Sequence, residues 1–415
     1  MLMLVSEFSL PMFLSGADVV FLLSSLVKAV AVAVAVLVMV PGSVTAERRI
    51  SAWIQDRLGP NRVGIPFTNI RLFGLGQALA DAAKFLLKEQ FVPASVNKFY
   101  FNLAPILAMV PALVTVAVIP FSPGFDLRPV AGWIAPHLGW ETSTVEAFQI
   151  SGVIANLDIG LLFVFAVISL SVYGIVIAGW ASNSKYPFLG GIRSSAQIIS
   201  YEIAMGASVV PVFLVTGQLN LGKIVDYQVQ HGWLALPNLS NGVVGVLLGV
   251  CLGFSFLVFL IASFAETNRL PFDLPEAETE LVGGYHTEYS GMRFALFFLG
   301  EYAAMVSASA VMVTVFLGGW SLPLPWFNGQ PMPEAVFGLA LPTWLAGQAV
   351  PWWFGFVSTG VFIVKILFFI GLFIVIRWTL PRFKYDQLMG LGWKVFIPAA
   401  FLNIFLVAAL VLLRG

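Results

Sequence analysis

Apolar runs of about twenty residues recur along this chain, near 19–41, 101–121, 157–180, 196–216, 243–265, 292–318, 355–377 and 394–413. A bilayer core about 30 Å thick takes about 20 helical residues to cross. In hydrocarbon only a helix or a closed barrel satisfies its own backbone. Runs this long and continuous are helical, so the expected fold is an all-α polytopic membrane protein with about eight spans, one membrane domain over 1–415. Charged residues make up 10% of the sequence, against roughly 25% in soluble domains. The stretch 333–353, PEAVFGLALPTWLAGQAVPWW, is apolar but short and broken by prolines. It reads as an interfacial segment within a loop.

Lysine and arginine set the expected orientation. The segment 42–100 carries Arg48, Arg49, Arg57, Arg62, Arg71, Lys84, Lys88 and Lys98. Lys185, Arg193, Arg269, Arg293, Arg377, Arg382, Lys384 and Lys394 fall on the same side, whereas the other side holds only Arg128, Lys223 and the tail's Arg414. The basic loops should therefore face the cytoplasm, with both termini periplasmic. The alternative is a mitochondrial inner membrane, with the basic loops in the matrix. The opening MLMLVSEFSLPMF lacks a basic n-region, so no cleaved signal is expected. The outer loops 122–156 and 319–354 are rich in Gly, Pro and Trp and read as covers, whereas the inner segments hold the dense polar motifs.

The single cysteine, Cys251, and three scattered histidines offer no C-x-x-C motif and no ligand set for an iron–sulfur cluster, zinc or haem. Nothing marks a nucleic-acid partner. Between the first two spans, 70–91 reads as an amphipathic helix lying in the interface. Gln77, Asp81, Lys84 and Lys88 form one stripe, opposed by Leu72, Leu75, Leu79, Ala83 and Leu86. Asp81 could pair with Lys84 one turn on. The stripe is either the solvated face of a surface anchor or one lip of a portal for a lipid-soluble ligand.

The acids are the strangest feature. Glu202 and Glu301 fall inside spans, Glu266 closes the fifth, and Glu288 precedes the sixth. Intramembrane charge costs at least about 2.5–3.5 kcal/mol, so each needs a partner, water or a proton. Lys365, mid-way along the seventh span, could serve as the partner of Glu202 or Glu301. Residues 265–280, AETNRLPFDLPEAETE, lead into the loop at 266–291, with Glu266, Asp273, Glu276, Glu278 and Glu280 against Arg269 alone. That run is either a solvated acidic loop or a funnel whose crowded carboxylates share protons.

At these residues the chain resembles a known family. ERRISAWIQDRLGPNRVG, LADAAKFLLKE, GWASNSKYPFLGGIRSSAQIISYE, AETNRLPFDLPEAETELVGGYHTEY and PRFKYDQLMGLGWK are similar, in order, to the H-subunit family of proton-pumping NADH–quinone oxidoreductase, respiratory complex I. The outer loops at 122–156 and 319–354 are longer than in compact members.

The resemblance implies an anchor at the heel of that complex, admitting ubiquinone as substrate from the bilayer to a chamber shared with two peripheral-arm subunits. NADH, FMN and the iron–sulfur clusters would reside on other subunits, and this chain would carry no redox centre or catalytic residue of its own. Small membrane subunits, antiporter-like subunits and membrane lipids would be its neighbours. By motif, Arg48, Arg57, Asp81, Arg269, Asp273 and Phe298 would line the quinone channel. Glu202, Glu266, Glu276, Glu278, Glu280, Glu288 and Glu301 would couple quinone reduction to proton movement. Two readings compete: the anchor of a membrane-bound hydrogenase, and a stand-alone ion transporter or channel. The halves show no repeat of the kind transporters carry.

Overall fold

The computed structural model describes residues 16–61, 63–64, 74, 76–138, 145–237, 242–273, 282–322, 335–336, 339–340 and 353–414. The helices are α1 (Gly16–Ile54), α2 (Gly76–Leu87), α3 (Lys98–Thr115), α4 (Arg128–Leu138), α5 (Gly160–Ala181), α6 (Lys185–Thr216) and α7 (Leu221–His231). They continue with α8 (Gly242–Glu266), α9 (Gly291–Phe316), α10 (Phe354–Thr379), α11 (Tyr385–Leu391) and α12 (Ile397–Arg414). Among the described residues, eight helical segments are long and apolar enough to cross a membrane, the last joining α11 to α12 through a π-helical turn at Gly392–Phe396. Among the described residues, sheet is confined to two antiparallel pairs, β1 (Phe125–Asp126) with β2 (Gln149–Ile150), and β3 (Ala335–Val336) with β4 (Leu339–Ala340). The interfacial segment expected at 333–353 lies mostly outside the described residues; its described part is the β3–β4 pair.

Three spans are longer than their apolar runs. Pro41-Gly42 reads as a stop, yet α1 continues through it to Ile54. Pro41 forfeits one backbone donor, while Ser43 Oγ and Thr45 Oγ1 donate to the carbonyls of Met39 and Pro41 (2.7 and 3.0 Å). Glu47, Arg48 and Arg49 thus ride on a helix instead of the expected loop. Helix α6 starts at Lys185, not near 196, because Pro187 sits in its first turn, where a missing N–H costs nothing. The eighth span begins at Tyr385 rather than 394.

Helix α9 is the axis of the bundle. Its residues from Tyr302 to Phe316 are buried except Ala304, and it packs on α1, α2, α3, α7, α8 and α10. Close approach relies on small residues, as in membrane bundles generally. A Cβ on Gly174 of α5 would stand 2.6 Å from Ala108 N of α3, and one on Gly300 of α9 would stand 3.2 Å from Met109 Cα.

The two ends of the bundle differ chemically. One gathers the end of α1, α2, the 266–273 and 282–291 segments, and the α10–α11 turn. The other gathers β1–β2, α4, α7 and the α9 C-terminus. Lys365 belongs to the second group, so the pairing with Glu202 or Glu301 considered from sequence does not form. Its Nζ donates to the carbonyls of Leu317, Gly319 and Ser321 (2.7, 2.9 and 2.5 Å) and stands 4.3 Å from the Trp233 ring centroid. The last carbonyls of α9 lack intrahelical donors. Gln228 Nε2 supplies those of Thr314 and Val315 (2.9 and 3.2 Å) and the Ala235 N–H that of Phe316 (3.0 Å), while Lys365 supplies the carbonyls of the turn that follows.

Candidate functional site

Three helices and one loop meet at the basic end around Arg269. Helix α8 stops at Glu266, and the chain turns back through Thr267, Asn268 and Arg269, all buried. Asn268 takes a left-handed conformation (φ 52°), which Asn tolerates better than most residues. Gln197 of α6 fastens this turn: its Nε2 donates to the carbonyls of Ala265 and Phe272, both at 2.7 Å.

Arg269 is 3% exposed and lies between two carboxylates. Its Nη1 donates to Glu47 Oε2 (3.2 Å), and its Nε stands 2.6 Å from Glu301 Oε1. The guanidinium also lies 4.0 Å from the Tyr302 ring centroid. Neighbouring carboxylates outweigh desolvation and push the Arg269 pKa upward, so it stays charged. Glu47 also accepts from Tyr302 Oη and Arg377 Nη1, each at 2.5 Å. Two acids thus meet two guanidiniums, and the cluster is charge-balanced. Beside it, Arg382 Nη2 donates to Asp273 Oδ2 (2.9 Å). Burial raises the Asp273 carboxyl to about 6, against the pull of Arg382.

Glu266 is different. Both of its carboxylate oxygens are buried and find no partner among the described protein atoms. They face a cavity of about 60 Å³ lined also by Glu301, Asn268, Ser171, Ser307 and Tyr285. A water needs about 10–15 Å³ measured this way, so several fit. An uncompensated carboxylate in such a place needs water or a proton. Glu202 of α6 is half-buried and near enough for its charge to repel that of Glu266.

The remaining expected residues divide. Arg48 Nη1 meets Asp81 Oδ2 at 2.6 Å, tying the end of α1 to α2. The Asp81 partner is therefore Arg48, with Gln77 Nε2 donating at 3.0 Å, and not Lys84 as the spacing suggested. Described over Gly76–Leu87, α2 turns Leu79 and Leu86 outward (both 67% exposed). Phe85 starts an aromatic row that runs through Phe294 and Phe298 to Tyr302, with centroids 6.2, 6.3 and 4.8 Å apart. Phe298 therefore connects the amphipathic helix with the Arg269 cluster. Arg57 is exposed just beyond α1. Glu288 is half-buried on the turn between Tyr285 and Tyr289; in the same turn burial lowers His286 to about 4 and keeps it neutral. Glu276, Glu278 and Glu280 lie outside the described residues.

Sequence reasoning missed Glu47, Arg377, Arg382 and Tyr302. Glu47 had a signal, an acid abutting two arginines at the end of an apolar run. The two arginines register in the sequence only as orientation charges.

A family model described as NADH dehydrogenase matches residues 27–408. The chain is 42% identical over 393 residues to one of the NADH-quinone oxidoreductase H subunits of Cytophaga hutchinsonii, covering 95% of this chain and 98% of that one. It is 43% identical to the NADH-quinone oxidoreductase H subunit of Salinibacter ruber, covering 90% and 91%. With NADH-quinone oxidoreductase subunit 8 of Rhodothermus marinus the identity is 44%, covering 88% and 90%. This chain belongs to the H-subunit family of NADH-quinone oxidoreductase. As such it is a membrane-embedded subunit of complex I, an enzyme assembly whose other subunits are its partners. The hydrogenase-anchor and stand-alone transporter readings are set aside by the family match. Among the described residues no group of three or more His, Cys, Asp or Glu is placed to hold a metal ion.

Proposed function

We propose that this subunit admits a quinone from the bilayer beside α2 and passes the consequence of its reduction to the carboxylates of α8, α9 and α6. The single observation carrying this reading is the place of Arg269 and Glu301. Arg269 pairs with both Glu47 and Glu301, while Glu301 also lines the cavity that holds the unpartnered Glu266. An ionisable path therefore runs from the Arg48–Asp81 contact at the bilayer edge toward Glu202.

Mixed polarity suits the entrance. Outward leucines of α2 lie in the interface, and the row Phe85–Phe294–Phe298–Tyr302 offers an apolar wall for an isoprenoid tail. Arg48, Arg57, Asp81, Arg269 and Asp273 supply polar contacts around it. Reduction of a quinone takes up two protons and changes local charge. A charge change beside Glu47 or Asp273 alters the attraction Arg269 exerts on Glu301, and so the proton balance between Glu301 and Glu266. Glu276, Glu278, Glu280 and Glu288 extend the acidic path at the loop. The basic loops face the cytoplasm in this arrangement, with both termini periplasmic.

The test is made in the intact complex. Glu266→Gln, and separately Glu278→Gln with Glu280→Gln, should lower NADH oxidation coupled to quinone and the associated proton uptake. Electron transfer to a hydrophilic artificial acceptor should stay unchanged. Full quinone turnover with full proton pumping in Glu266→Gln would remove the carboxylate path.

A further inference from the structure

We infer that the periplasmic half of the bundle holds one acyl chain of an anionic phospholipid, in a groove headed by Lys28. The groove encloses about 390 Å³ between α1, α9 and α10, under the β1–β2 pair. That volume is within the 300–1,000 Å³ usual for small-molecule sites. Its wall is apolar, made chiefly by Val32, Val36 and Met39 of α1 and Phe356, Phe362 and Ile366 of α10. An empty apolar space forfeits contacts in proportion to its volume. Water gains little there, since dry apolar cavities stay dry. The groove requires an apolar occupant.

Length and charge choose which one. Lys28 stands level with the 151–153 segment, where Nζ donates to Ser151 Oγ (3.1 Å) and to the carbonyl of Val153 (3.0 Å). The spans α3 and α5 end beside that segment, so Lys28 stands level with the outer ends of those spans, and the part of α1 before it runs on past them. Along α1 the lining runs from Ser24 to Met39, and the part below Lys28 covers eleven residues, about 17 Å at 1.5 Å per residue. One leaflet of hydrocarbon is about 15 Å, half of the 30 Å core. Lys28 is buried, and with the Ser151 carbonyl as a third acceptor (3.4 Å) its ammonium protons are all taken by neutral oxygens. No carboxylate lies within ion-pair distance among the described residues, so the charge itself is unpaired and acts on the groove mouth at a distance. The other cation at this rim, Arg128, is matched by Asp126 through two 2.7 Å bonds. A greasy slot one leaflet deep under a lone cation fits a phospholipid tail with an anionic headgroup. This inference does not depend on the carboxylate path.

The probe is phosphatidylglycerol with a diazirine at mid-chain, photolysed in nanodiscs containing the purified complex, with a phosphatidylcholine analogue in a parallel arm. Label should concentrate on peptides spanning 27–39 and 356–366. Ala35→Phe, which fills the groove, should remove most of it. Lys28→Gln should lower phosphatidylglycerol labelling about fivefold, the weight of one lysine toward an anionic lipid, and leave phosphatidylcholine labelling unchanged. Assembled subunit levels measured in both variants separate loss of the site from loss of the fold. The inference is overturned by equal labelling with the two lipids, by label spread evenly over the bundle, or by silence at these peptides because a neighbouring subunit covers them. Displacement of the label by a quinone carrying a long tail would assign the groove to quinone instead.

Discussion

At the scale of single residues, the acids gathered around Arg269 are held by arginine, and Glu266 beside them is not. Glu47, Glu301 and Asp273 each have a guanidinium within 3.2 Å, whereas Glu266 has only a cavity and a neighbouring acid. Removing one partner of a buried ion pair leaves an uncompensated charge and costs about 3–5 kcal/mol. Arg269→Met should therefore deplete assembled subunit in membranes, measured by quantitative immunoblot, and adding Glu301→Gln should restore part of it. Asp273 titrates in the folded chain near 6, above its ordinary 3.8. Its contribution to stability is complete below about 3.8 and is lost as pH rises through about 6. Raising the pH from 5 to 7.5 should thus shift the melting-temperature difference between Asp273→Asn and the parent in favour of the asparagine variant, as read by thermal scans of the solubilised complex.

Among the elements, α2 is the most informative. Amphipathic spacing announces a helix with one polar and one apolar face, and the structure agrees over Gly76–Leu87. What spacing could not show is the partner, because Arg48 reaches Asp81 only when α1 continues past Pro41. That contact is partly exposed, with side chains 44% and 26% accessible, and such pairs contribute about 1 kcal/mol or less. A double-mutant cycle with Arg48→Ala and Asp81→Ala should show coupling of this size in stability. The same variants should raise the apparent KM for quinone while leaving the hydrophilic-acceptor rate alone. A larger stability coupling with an unchanged KM would make the pair a strut and not a portal. The ends of α1, α6 and the eighth span depart from the sequence expectation for one reason. Prolines and charges mark ends in water, but a membrane helix keeps its backbone bonds through them.

Over the whole molecule, the asymmetry of lysine and arginine sets an orientation that can be measured. With Cys251 replaced by serine, Gln230→Cys at the far end should react with an impermeant maleimide from outside. Asn183→Cys at the basic end should react only in inverted vesicles. The reverse pattern would invert the topology and the direction of the carboxylate path.

Fold class and span number were legible in the sequence, as was the presence of acids inside or at the ends of spans, because hydrocarbon admits only helices of a set length and penalises every ionisable group left inside it. The partners of those groups were not legible. Glu47 lies 222 positions from Arg269 and 330 from Arg377 in the chain, and no local spacing predicts a meeting between separate spans. Lys365 makes the same point in reverse: its position mid-span suggested an acidic partner, and packing against the α9 C-terminus gave it carbonyls. Only the tertiary arrangement decides which acids are neutralised by arginine and which, like Glu266, remain with a cavity alone.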